Sequence, residues 1–85
     1  DQLGRASMSI VLNIAEGSGK FSKPDRRSFY VIARASVFEC VAVLDLLNDK
    51  NKLSQKEFET MLQLADELSR MLYKMISNLS NPQSS

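Results

Sequence analysis

Asn13, Glu16, Ser36 and Glu39 are the polar residues closest to the apolar pattern of the chain, so they are the first candidates for chemistry. Two carboxylates brought together could divide acid and base roles or hold a divalent metal. The rest of such a site is missing: the 85 residues contain no His, one Cys, and no Glu-x-x-His pair of the kind that builds di-iron bundles. No nucleophile stands beside a base. The four residues are therefore read as a buried polar network with no catalytic, metal-binding or cofactor role. They bond one another, or Arg5 or Arg34, across helices and set the register, because an unpaired buried carboxylate is costly. Cys40 is read as a packed core thiol.

A second cluster could bind rather than react. Lys20, Lys23, Arg26 and Arg27 put four cations within eight residues, just after Gly19 and around the start of a helix. Backbone N–H groups at that start would add to the cations, so phosphates of RNA or DNA are one reading. A solvated turn is the other, and both stay open. A formal net charge of +1 gives no strong global field, so any nucleic-acid contact must come from such a local patch. No aromatic–cation stacking motif supports sequence-specific recognition, for which Phe21 alone is too little.

Three helices would have to position these groups. Hydrophobic residues make up 44% of the chain, with no Trp, and no strand-like alternation or internal repeat occurs. The three glycines and two prolines fall at boundaries, which favours long uninterrupted helices. The first helix is expected over about 3–16. Leu3, Ser7, Ile10 and Ile14 share one side, Arg5, Ser9, Asn13 and Glu16 the other, and Gly17 is expected as a left-handed C-cap. The chain opens at Asp1 with almost no lead-in, as if cut. Ser22 caps the second helix, about 23–48, with Pro24 in its first turn. Ser54 and Glu57 form a capping box for the third, about 55–79. Residues 1–79 thus form one helical domain, and 80–85, with Pro82 and no apolar residue, form a disordered tail.

The second helix is apolar nearly all round. Phe29, Ile32, Ala33, Val37, Cys40, Val43, Leu44 and Leu47 line one face, and Val31, Ala35, Phe38, Ala42 and Leu46 line the opposite one. Arg34 and Asp45, with Tyr30 nearby, leave a narrow polar strip, and Glu39 falls between the stripes as a buried or half-buried carboxylate. Two further helices cannot cover such a helix, so the second stripe must meet a missing helix or a neighbouring subunit. The third helix is ordinarily amphipathic, with Met61, Met71 and Met75 read as gap-filling core. No apolar run approaches the roughly 18 residues of a membrane span, and no secretory leader is seen, so a cytoplasmic location is expected.

The run Arg5-Ala6-Ser7-Met8-Ser9-Ile10-Val11-Leu12-Asn13-Ile14-Ala15-Glu16-Gly17 resembles the signature of a bacterial four-helix-bundle family first found encoded in intervening sequences of large-subunit ribosomal RNA genes. Ser22, Phe29, Ile32-Ala33, Ser36 and Glu39, and the closing segment around Met71-Leu72-Tyr73, fit the same pattern. The Asn-Ile-Ala-Glu-Gly piece is its specific part. Val11 departs from it, since Pro is usual there, and a further long helix that opens the family's chains is missing. The resemblance implies an all-α, antiparallel up-down bundle that assembles into a homo-oligomeric ring, five-fold in symmetry. It implies no enzymatic activity. A relative by fold, the accessory protein of diversity-generating retroelements, binds nucleic acid, which makes RNA or DNA a partner to test. Two functions therefore stay open: a non-enzymatic assembly module that binds nucleic acid through a repeated basic surface, or a purely structural or protein-interaction module.

Overall fold

Asp1 accepts a hydrogen bond from the Gly4 amide at 2.9 Å and so caps the first of three helices: α1 (Gln2–Ser18), α2 (Lys23–Asp49) and α3 (Gln55–Ser80). These elements belong to a computed structural model that describes residues 1–80, among which no strand occurs. The tail expected over 80–85 lies outside the described residues except for Ser80, which closes α3.

Local side-chain chemistry sets the helix starts. The Ser22 hydroxyl accepts from the Asp25 amide at 3.2 Å, with Pro24 in the first turn where a missing N–H is harmless. Ser54 and Glu57 form the expected reciprocal box: the Glu57 amide donates to Ser54 Oγ at 3.0 Å, and the Ser54 amide to Glu57 Oε1 at 2.8 Å. Hydrogen bonding by Ser54, through its backbone amide first and its hydroxyl second, holds the Glu57 carboxyl below its ordinary pKa. The stop of α2 is Asn51, whose φ of 57° is left-handed, while Lys52 donates back to the Leu47 carbonyl at 2.9 Å. Asn tolerates that conformation better than most side chains.

The end of α1 differs from expectation. The helix does not stop at Gly17 but continues to Ser18, and Gly17 is helical and buried. No glycine has a positive φ; the cap, Gly19, sits at φ −87°. Gly17 is required for approach rather than for chain reversal. A Cβ there would stand 2.7 Å from Tyr30 Cε1 and 3.1 Å from Phe29 Cβ. α1 also runs unbroken through Val11.

Short links reverse the chain twice, so α2 lies antiparallel between α1 and α3. Both neighbours run beside α2 while the backbones of α1 and α3 stay apart, giving an open arrangement 47 × 21 × 13 Å in extent. Ala6 and Ile10 of α1, Tyr30, Ala33, Val37 and Cys40 of α2, and Leu72 of α3 form the buried cluster. Tyr30 belongs to this core rather than to a polar strip, because its hydroxyl meets Ser18 Oγ at 2.9 Å. Ile32, expected on the buried face, is 48% exposed.

This open arrangement leaves a groove on one side of α2 and a bare face on the other. On one face a groove runs between α1 and α3, lined by Leu3, Ser7 and Ile10, by Val37, Cys40 and Leu44, and by Met61, Leu64 and Leu68. Met61 lines this groove and Met71 is exposed instead of filling the core, and of these three only Met75 packs against the buried cluster. The other face carries Val31, Ala35, Phe38, Ala42 and Leu46, all exposed.

Candidate assembly and nucleic-acid surfaces

The polar network forms from different residues than expected. Ser9 Oγ meets Ser36 Oγ at 2.8 Å across α1 and α2, and Asn13 donates to Ser9 through its carbonyl at 2.7 Å and its hydroxyl at 3.2 Å. Ser36 also donates to the Ile32 carbonyl. One turn further, Ser7 Oγ lies 3.8 Å from the buried Cys40 Sγ. Asn13 and Ser36 thus belong to the network, and Glu16 and Glu39 do not. Glu16 faces solvent and pairs with Lys20 at 3.7 Å. Glu39 is exposed and makes no hydrogen bond or ion pair among the described residues. The reason is the open packing: Glu39 stands between two apolar stripes of which only one is covered. Ser9 shares a side of α1 with Asn13 but is not among the residues expected in the network. Its signal is its size, since only a short hydroxyl lets α1 come near enough to Ser36.

The four cations are not one flat patch. Arg26 is half-buried, its Nε donating to the Lys20 carbonyl at 2.7 Å, which closes the α1–α2 turn. Arg27 leans the other way, its Nε donating to Ser80 Oγ at 2.6 Å in the last turn of α3. Lys20 adds a contact 5.2 Å above the Phe29 ring. The C-terminal ends of α1 and α3 converge here, and cations suit the partial negative charge of helix ends. Lys23 is exposed, and Phe21 beside it projects wholly into solvent. At the far end of α2, Lys50, Lys52 and Lys56 are exposed as well.

One arrangement was not visible in the sequence. Arg34 lies half-buried between α2 and α3, its guanidinium 4.9 Å from the Phe38 ring centroid and 5.3 Å from that of Tyr73. Its Nε donates to the Ser69 carbonyl at 3.2 Å. Phe38 could be paired with Arg34 from the i,i+4 spacing, but Tyr73 and Ser69 come from another helix, whose register no local pattern supplies.

Among the described residues no three Cys, Asp or Glu side chains converge as metal ligands would, and no helix is long and apolar enough to cross a membrane. The family model described as 23S rRNA-intervening sequence protein matches residues 1–74. No curated protein and no solved structure matches the chain.

Proposed function

The chain belongs to the 23S rRNA-intervening sequence protein family, and we propose that it acts without catalysis, as a homo-oligomeric helical-bundle module of the cytoplasm. The observation that carries this reading is the bare outer face of α2. Val31, Phe38 and Leu46 are 41%, 52% and 54% exposed, although fully burying such side chains is worth roughly 1.5–3 kcal/mol each. Ala35 and Ala42 between them would let another backbone come close. An exposed contiguous apolar face of this kind marks an interaction surface. The opposite groove, between α1 and α3, has the place of a fourth helix lying diagonally across from α2. In this reading the further helix implied by the resemblance fills that groove, and the outer stripe is left for neighbouring subunits, arranged as a ring. Light scattering across a concentration series tests it: a mass several times the 9.5 kDa of one chain is expected, and a stable monomer at every concentration overturns it.

A second reading adds nucleic acid. It is favoured by the full exposure of Phe21 next to Lys20 and Lys23, since an aromatic ring among cations can stack on a base while the cations meet phosphates. A ring would repeat the patch once per subunit, and the contacts would add.

A further inference from the structure

Arg34 and Glu39 flank the bare stripe of α2 on opposite sides. Val31, Ala35, Phe38 and Ala42 follow a 4-3-4 spacing, the a/d repeat of a helix that packs along another helix. At about 100° per residue, Arg34 lies about 80° to one side of the stripe's centre and Glu39 about 60° to the other. They occupy the g and e positions beside the seam, five residues apart, which is the separation at which charges meet between two parallel helices.

Among the described residues neither charge meets an opposite one. Arg34 is already oriented: two rings hold its guanidinium, Ser69 takes its Nε, and its two terminal nitrogens have no carboxylate. Glu39 is exposed and unpaired; Arg5 borders the same hollow but forms no ion pair with it. An arginine held ready on one edge and a free carboxylate on the other make the face complementary to a second copy of itself.

We propose that α2 of one subunit packs in parallel beside α2 of the next, the Arg34 edge of one against the Glu39 edge of the other. This rests on the homo-oligomeric reading above and adds direction to it. In parallel packing opposite edges meet, so Arg34 of one chain faces Glu39 of the next, whereas a two-fold antiparallel pair would bring like edges together and leave Glu39 without its cation. Phe38 then serves both sides, packing into the seam while its ring steadies Arg34.

Charge reversal tests this by sedimentation velocity across a dilution series. Glu39→Arg and Arg34→Glu should each raise the concentration at half-assembly at least about tenfold, because like charges then face each other. The double reversal Arg34→Glu/Glu39→Arg should recover assembly. Circular dichroism checks that each variant is folded. Where Arg34→Glu does not fold, Arg34→Gln, which keeps a donor for Ser69, is combined with Glu39→Gln in a double-mutant cycle, and non-additive losses are expected. A wild-type chain that never assembles overturns both this pairing and the oligomeric reading. A wild-type chain that assembles while the single variants do so equally well, or while the double reversal fails to recover, overturns the pairing and leaves the oligomeric reading standing.

Discussion

Gly17 of α1 presents its bare α-carbon to the edge of the Tyr30 ring in α2, so closely that a Cβ would stand 2.7 Å from Cε1 and 3.0 Å from Cδ1. Tyr30 cannot swing away without giving up its bond to Ser18 and its place in the core. At an ordinary exposed helical position Gly→Ala stabilises by about 1 kcal/mol. Here the overpacking, typically 1–3 kcal/mol, outweighs that gain, and Gly17→Ala is expected to lower the urea midpoint. Gly19→Ala is the contrast. Its Cβ would meet only backbone oxygens at 3.6 and 3.7 Å, and its φ is negative, so the midpoint should hold. An unchanged Gly17→Ala midpoint would show that the ring yields freely.

Glycine explains much of what the sequence made legible and what it hid. Ser22, Ser54 and Glu57 were readable because an N-cap is made within four residues of chain. Glu16-Gly17-Ser18-Gly19 reads locally as a stop, yet Gly17 answers to a ring in another helix. Glu39 misled for a related reason: a helical wheel counts apolar stripes but not which stripe the chain itself covers. The chain's own helices bury Ala33, Val37 and Leu44 and leave Phe38 and Leu46 bare. Arg34 between Phe38 and Tyr73 needs the α2–α3 register, which no single helix specifies.

Ser36 is the buried member of the Ser9–Asn13–Ser36 network. Ser36→Ala removes the partner of the half-buried Ser9 hydroxyl and should destabilise the fold by about 1 kcal/mol. Ser9→Ala should lose a similar amount, and the double variant less than the sum, since the two groups share one bond. Glu39→Ala, measured on the same chain at a concentration where it is monomeric, should leave the denaturation midpoint alone, because its carboxylate has no partner in the fold. A drop in midpoint for Glu39→Ala equal to that for Ser36→Ala would put the carboxylate back in the network.

The box at the start of α3 makes stability depend on pH. The Ser54 amide and hydroxyl hold Glu57 below its ordinary pKa, so the folded chain binds that proton less readily than the unfolded one. The contribution is therefore present above the unfolded-state pKa and is lost as pH falls through the folded-state value. Glu57→Gln keeps a side chain that can reach the Ser54 amide but cannot titrate. The variant should be less stable than the natural chain at neutral pH, and the gap should close as pH falls through and below the carboxylate range. Thermal melts at a series of pH values read it directly, and a gap independent of pH would assign the acid response to other carboxylates.

If the basic end of the bundle binds RNA or DNA, contact falls to phosphates, and affinity should drop steeply with salt, with a log–log slope of about −0.7 to −0.9 per phosphate neutralised. The internal bonds of the cluster decide which variants can test it. Arg26 closes the turn through the Lys20 carbonyl, so Arg26→Ala would confuse a folding loss with a binding loss. Arg27→Ala gives up one exposed bond to Ser80, and Lys23→Ala changes an exposed first-turn residue, so both are read beside a circular-dichroism check that the fold is kept. Together they should weaken binding to every sequence alike and flatten the salt slope by about one unit for each contact removed. Phe21→Ala should weaken binding to single strands in particular, since stacking on a base is worth roughly 1–3 kcal/mol, and leave duplex binding nearly unchanged. Neutralising Lys50, Lys52 and Lys56 at the far end of α2 is the control. An equal loss there would replace the localised patch with diffuse attraction, and no binding at low salt would leave assembly alone as the function.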